Sequence, residues 1–377
     1  MTAFQPELLD DADALLAADR GGLLRALAFA GAQVRRTVEV AGEFGVDRLR
    51  GSQPPRAVLV AADASAPYLA GLLGVLAAAG APVVEWRDAG LPTWAGPADV
   101  LLVVSAEGRH PRLAELVSQA DRRGLTLAVA APAGSPVAYA AARHPVADVS
   151  HLAQVPPRAV WWALATPALL ALDALGLTNN RALLDEVADA LDAVAEADRP
   201  DSSSYTGPAK LLAADLAESV PVIAGIGAAA TVAAHRFAGS VQLIGGFTAV
   251  SAALPDDVAR VGALLEFASS EADFFTDRVS EATARPRLVL IGDDDRFGND
   301  RDAEWDGLGE DAGRRAGSAL AGLASSRGIG NSRVLVPDAA PLVRFAAATA
   351  TGDFAATYLA LARGVDPSAP RLGELPH

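Results

Sequence analysis

Four loops carry the residues whose types and spacing could do chemistry. Ala61-Ala62-Asp63-Ala64-Ser65-Ala66 follows one short apolar run, Ser105-Ala106-Glu107-Gly108-Arg109-His110 follows another, and each leads into a helical pattern. Free N–H groups at a helix start hold anions. Ser65 and Ser105 add hydroxyls, Gly108 an unhindered backbone and Arg109 a positive charge, so these four form a candidate anion-binding set. Small polar residues at strand-to-helix turns also cap helices, and that simpler role stays open for them. The third loop, Gly225-Ile226-Gly227-Ala228-Ala229-Ala230, permits close approach of a ligand to the backbone. It does not complete G-x-G-x-x-G, and Gly245-Gly246-Phe247 stands where an acidic ribose partner belongs, which argues against a nicotinamide cofactor. The fourth loop, Asp293 to Asp300, places Asp293, Asp295, Gly298 and Glu304 at relative positions one, three, six and twelve of a calcium-type loop. Phe297 at position five and the strand that leads in make a solvated acidic loop the better reading.

Loops of this kind do their work at the carboxyl ends of parallel strands. The apolar runs Ala57 to Ala61, Pro82 to Trp86, Asp99 to Ser105 and Leu125 to Ala130 are predicted strands, with a helix over Pro111 to Arg123 between the last two. Continuous apolar strands alternating with helices imply a parallel sheet covered on both faces. From Asn179 to Gly207 charged and polar residues interrupt the pattern as a helix and then a linker, Arg199-Pro200-Asp201-Ser202-Ser203-Ser204. This divides the chain into domains 1–200 and 201–377. Strands are expected again at Val220 to Gly225, Val241 to Ile244, Arg287 to Gly292 and Arg333 to Val336, so the fold class is α/β with two αβα sandwiches, flanking helices and a weak internal duplication.

Composition excludes several functions. With 31 basic and 46 acidic residues the net charge is −15, and no basic cluster stands out, so nucleic acid is not an expected partner. Cysteine is absent, which removes disulfides, thiolate metal sites and cysteine nucleophiles. The five histidines show no i, i+4 pairing for zinc, and neither G-x-S-x-G nor G-x-x-x-x-G-K-[ST] occurs. Ala159 to Leu177 is apolar but contains Pro167 and Asp173 and lacks basic flanks, so a buried helix is expected there and no membrane partner. Glu7, Asp10, Asp11 and Asp13 stand where a secretion signal would carry basic and then apolar residues, and a cytoplasmic location is expected.

Several stretches resemble the bacterial and archaeal bifunctional phosphoglucose/phosphomannose isomerases, proteins of two sugar-isomerase (SIS) domains. They are Asp19-Arg20-Gly21-Gly22-Leu23-Leu24 with Gln33; Pro82-Val83-Val84-Glu85-Trp86-Arg87-Asp88 with Leu91-Pro92 and Trp94; Pro157-Arg158-Ala159; Gly207-Pro208-Ala209-Lys210; and Tyr358-Leu359-Ala360-Leu361-Ala362-Arg363-Gly364-Val365-Asp366-Pro367. The last is close to the family's YLALLRGVDP. The resemblance implies two SIS-type domains, a homodimer, no metal or organic cofactor, and conversion of glucose 6-phosphate or mannose 6-phosphate to fructose 6-phosphate through an enediol. It implies substrate contacts at Ser65, Ser105, Gly108 and Arg109. Arg158 would steady charge developing on the enediolate, while an arginine after two prolines could also serve only to pair at a helix start.

Against the family's S-x-S-G-N-T phosphate loop the chain keeps Ser105 and Gly108 but has Glu107, Arg109 and His110 at the other places. Glu107 would repel a phosphate dianion and Arg109 would offset it. Proton transfer between C1 and C2 needs a carboxylate base. The family's N-E-N glutamate falls near Leu243, in the stretch His235 to Ile244, and its N-H-N-E histidine has no counterpart between Phe247 and Asp257. The expectation is an isomerase-like protein with degenerate catalytic residues; the alternative is a noncatalytic sugar-phosphate-binding protein or a regulatory partner of another mannose-pathway enzyme. Asp293 or Asp295 as a new base, and His110 or His235 as a replacement histidine, remain open alternatives.

Overall fold

The structure, a computed structural model, describes residues 4–51, 53–77, 80–270, 285–292 and 307–369. It divides into two compact units, Arg25–Asp192 and Met1–Leu24 with Ala193–Arg371.

The first unit holds β1 (Ala57–Ala62), β2 (Val83–Glu85), β3 (Asp99–Val104), β4 (Thr126–Ala131) and β5 (Val146–Asp148) in the order β2-β1-β3-β4-β5, all parallel. The sequences AVLVAA and DVLLVV are apolar at every position but the first aspartate because both faces of the sheet are covered. On one face Leu59, Ala61, Leu101, Val103, Leu127 and Val129 pack with Leu113, Leu116, Val117 and Ala120. Those last four recur at i, i+3, i+4 and i+7 of the helix Pro111–Arg123, which turns one apolar stripe to the sheet. On the other face Leu102, Val104, Ala128 and Ala130 border a small apolar cavity with Pro167, Ala168 and Ala171. These come from the helix Trp161–Ala174, so the long apolar passage is a buried helix. No helix among the described residues is long and apolar enough to cross a membrane.

The second unit holds β6 (Ser219–Ile226), β7 (Val250–Leu254), β8 (Arg285–Ile291) and β9 (Asn331–Val334) in the order β7-β6-β8-β9, again all parallel. Val222, Ala224, Ala252, Leu254, Leu288 and Leu290 form its core with Val261, Leu265, Leu320 and Ala324 from two helices. The strand expected at Val241 to Ile244 is absent. Val241 to Leu243 is the last turn of the helix Ala228–Leu243, whose buried residues Ala233, Ala234, Phe237, Ala238 and Val241 keep helical spacing through Gly239 and Ser240. The second-position strand is instead β7, VSAAL, whose small residues carry little β preference; pairing of Val222 to Ile226 with Val250 to Leu254 fixes it.

Residues from distant motifs meet inside this second unit. The fully buried Lys210 donates to the carbonyls of Leu9 at 2.6 Å and of Pro200 and Ser202 at 2.7 Å. Its ammonium lies 5.3 Å from the centre of the Tyr358 ring, and the Tyr358 hydroxyl donates to the Asp198 carbonyl at 2.5 Å. Asp198 Oδ1 accepts the Ala209 N–H at 2.7 Å, whereas its Oδ2 is buried with no hydrogen-bond partner. Burial pushes the Asp198 carboxyl up to about 6, against the Ala209 N–H and the Lys210 charge. A buried cation that satisfies three carbonyls ties the N-terminal segment and the 199–206 linker to the helix Pro208–Leu216.

A carboxyl whose pKa is raised on folding costs stability once the unfolded chain ionises it. That cost is absent below about pH 4 and complete above about pH 6. Asp198→Asn keeps an acceptor for Ala209 and removes the ionisation. Thermal unfolding across pH should therefore show the variant gaining on wild type between pH 4 and 6, then a constant gap; a gap that does not change with pH contradicts the assignment.

Candidate functional site

In a sheet of order 2-1-3-4-5 the crevice for a ligand lies where the connections diverge, beyond the carboxyl ends of the first and third strands. Ala62 of β1 pairs in register with Val104 of β3, so the loops carrying Ser65 and Ser105 emerge side by side. The structure joins them through a residue not singled out from the sequence, Asp63. Its Oδ1 accepts the Ser65 N–H at 2.9 Å and the Ser65 hydroxyl, and its Oδ2 accepts the Ser105 hydroxyl. The serine oxygens accept in turn, Ser65 Oγ from the Ala106 N–H at 3.3 Å and Ser105 Oγ from the Gly108 N–H at 2.8 Å.

Gly108 is needed for this turn. Its φ of +65° lies in the left-handed region, and a Cβ there would overlap the Ser135 side chain. Neither serine caps the helix that follows it. The helix Leu69–Leu76 begins after Tyr68 without a side-chain cap, and Pro111–Arg123 is capped by His110, whose Nδ1 accepts the Arg112 N–H at 3.3 Å.

The cation that turns inward is Arg112. It donates to the carbonyls of Ala62 at 2.9 Å and Trp86 at 3.0 Å, at the ends of β1 and β2. Burial pulls its guanidinium below the ordinary arginine range, opposed first by the Asp63 charge. Arg109 is exposed on the loop. Arg158 lies half-buried in the short helix Pro157–Ala159. Next to it, the Ala159 carbonyl accepts from Gln33 Nε2 at 3.1 Å, and the Trp161 indole N–H donates to the Pro67 carbonyl at 2.9 Å. The first bond ties the segment of Arg158 to the helix Ala30–Glu39, and the second ties it to the loop of Ser65.

The corresponding loop of the second unit is built differently. Gly225 packs so closely on Ala230 and Thr231 that a Cβ would overlap their backbone, and Gly227 starts the helix with φ +85°. Ile226 between them lies against Gly292, Gly313 and Gly317, so an apolar side chain fills the end of β6. Leu243, where the resemblance would put a glutamate, is the last residue of its helix and half-buried; Phe247 to Asp257 contains β7. Asp257 is held below the usual carboxylate range first by its hydrogen bond from Arg260, then by the Ala253 N–H, with a smaller contribution from His235. The acidic loop Asp293 to Asp300, with Glu304, lies outside the described residues. Among the described residues no group of three or more His, Asp or Glu could hold a metal ion.

Residues 206–371 match the family model described as the bacterial phospho-glucose isomerase C-terminal SIS domain. Over these residues the chain is similar to a SIS domain of this kind. The whole fold is similar to three solved structures. A proposed phosphosugar isomerase from Silicibacter pomeroyi has a TM-score of 0.59 at 19% identity, covering 92% of this chain and 99% of that one. A glucose-6-phosphate isomerase like protein from Thermus thermophilus has a TM-score of 0.51 at 17% identity, with 89% and 94% covered. The C-terminal domain of glucosamine-fructose-6-phosphate aminotransferase from Francisella tularensis has a TM-score of 0.57 at 9% identity, with 91% and 96% covered. At these identities the likeness establishes the fold alone, two α/β units of the SIS type with parallel sheets. No curated protein sequence matches the chain.

Asp63 and Arg112 are the site residues that reading by residue type passed over. An aspartate two places before a serine, directly after a strand, is the signal for an Asx turn. Arg112 gave no comparable signal, because its role depends on the carbonyl ends of two strands distant in sequence. Ser105→Ala removes a buried hydroxyl that links Asp63 to the Gly108 N–H. It should lower stability by roughly 1–3 kcal/mol in urea unfolding, and the half-exposed Ser65→Ala should cost less; the reverse ranking would show that Ser105 is not the link between the two loops.

Proposed function

We propose that the chain is a hexose-phosphate-binding protein of the phosphoglucose isomerase kind whose proton-transfer equipment is degenerate. One observation carries the second half of this reading: the helix that should bring a glutamate to the substrate ends in Leu243. Aldose–ketose isomerisation moves a proton between C1 and C2, and a leucine neither takes nor returns it. The SIS domain over residues 206–371 and the fold shared with phosphosugar-isomerase-like structures support the first half.

On this reading the ligand is glucose 6-phosphate or mannose 6-phosphate, the protein is a cytoplasmic homodimer, and no metal or organic cofactor takes part. Ser65, Ser105, Gly108 and Arg109 face the ligand, and Arg158 supplies positive charge beside its C1–C2 end. A noncatalytic role, sensing sugar phosphate or regulating another mannose-pathway enzyme, is the second reading. Its regulatory form is favoured by Asp63, whose carboxylate accepts both serine hydroxyls at the place where a phosphate would need them.

Calorimetry with both hexose phosphates, beside an assay coupled to fructose 6-phosphate formation, tests the proposal. The expected outcome is saturable binding with kcat on the order of 10²–10⁴ below ordinary enzyme values, the loss typical of a missing acid–base group. Turnover at ordinary rates would refute degeneracy, and absence of binding would leave a protein-interaction role. Arg158→Ala should weaken hexose-phosphate binding about tenfold or more; unchanged affinity removes Arg158 from the site.

A further inference from the structure

The geometry points to Asp63 as a built-in anion that occupies the oxyanion cradle at the ends of β1 and β3, so that a phosphate-class anion binds there only in competition with the Asp63 carboxylate. The inference deepens the hexose-phosphate reading and rests on it only for the identity of the external ligand.

The cradle is recognisable by its donors. Two hydroxyls, Ser65 and Ser105, and one backbone N–H, that of Ser65, converge on the two carboxylate oxygens, as donors converge on a bound oxyanion. The Ala106 and Gly108 N–H groups stand behind the hydroxyls and polarise them toward the carboxylate. Arg112 adds positive charge close enough for Asp63 to be the chief charge acting against its burial.

Each serine has a single proton to give. While both protons point at Asp63, an incoming phosphate meets oxygen lone pairs and a carboxylate, and it is repelled by both. Asp63 follows immediately on the last residue of β1, so its carboxyl is tethered by one side-chain methylene to a buried strand. The effective concentration of such an internal ligand is high, which weakens any external one. Ser105 is fully buried, so its hydroxyl has no route to water as an alternative acceptor.

Removing the carboxylate should open the site. Titration calorimetry with inorganic phosphate at pH 7 and low salt, on the full chain, should show Asp63→Ala binding at least tenfold more tightly than wild type. The isosteric Asp63→Asn should show a smaller gain, and it serves as the test should the alanine variant not fold. Adding Ser105→Ala to either variant should return the affinity to the wild-type level. Affinity that does not rise in Asp63→Ala or Asp63→Asn overturns the inference, as does a gain that survives loss of the Ser105 hydroxyl. Glucose 6-phosphate titrated into the same variants separates the two proposals. Inorganic phosphate affinity gained with no hexose-phosphate binding in wild type or variants keeps the internal anion and refutes the hexose reading; hexose-phosphate binding in wild type and variants alike, with no gain for inorganic phosphate, does the opposite.

Discussion

The parallel register that sets Ala62 beside Val104 is the constraint on which the N-terminal candidate site depends. It comes from two strands apolar on both faces, each buried by a helix, with no freedom to slip because a slip by one residue would exchange the faces. With the register fixed, the loops after β1 and β3 emerge within hydrogen-bonding reach. A short acidic side chain at the first loop position then closes the gap between them. The contacts among Asp63, Ser65, Ser105 and Gly108 are a consequence of strand pairing as much as of local sequence, which is why Asp63 accepts a hydroxyl from a residue 42 positions away.

Much of the fold was legible, and for a physical reason. Strands of a doubly covered parallel sheet must be continuously apolar, so Ala57 to Ala62 and Asp99 to Val104 declare themselves without alternation. The same reasoning failed at Val241 to Leu243, where three apolar or amphipathic residues continue a long alanine-rich helix. It failed again at Val250 to Leu254, where alanine and serine serve in a strand because the neighbouring chain, not side-chain preference, holds them. β5 passed unread because Val146-Ala147-Asp148 holds one β-branched residue, whereas β2, equally short, holds two in a row.

The candidate site was legible by residue type but not by direction. Ser65, Ser105 and Gly108 could be picked out as small polar residues after strands, yet type alone did not say whether their hydroxyls would cap helices, face a ligand or bond to each other. Arg109 and Arg112 are equally basic and only three residues apart. The backbone turn at Gly108 leaves Arg109 exposed, while Arg112, one residue into the helix, reaches back over two strand ends. Lys210 and Tyr358 show the converse. Both lie in stretches that carry the resemblance, that of Tyr358 the most specific, and the structure uses them to satisfy buried carbonyls and pack a cation on a ring. Matching such residues therefore speaks for a shared architecture more than for shared chemistry.

The two units answer the same topological problem in opposite ways. Each has its central strand flanked so that a crevice opens between the first and third strands of its sheet. In the first unit that crevice has polar donors, and Asp63 satisfies them. In the second, Ile226 ends the central strand and packs against Gly292, Gly313 and Gly317, the last two on one helix, leaving an apolar side chain where a ligand would need hydrogen bonds. A site that keeps its donors free for an anion forgoes the intramolecular hydrogen bonds those donors could make. A chain that fills one such crevice with its own carboxylate and the other with its own isoleucine avoids that cost in both. The buried Lys210 assembly belongs to the fold alone: its ammonium is spent on the carbonyls of Leu9, Pro200 and Ser202, which leaves it no proton to offer a ligand.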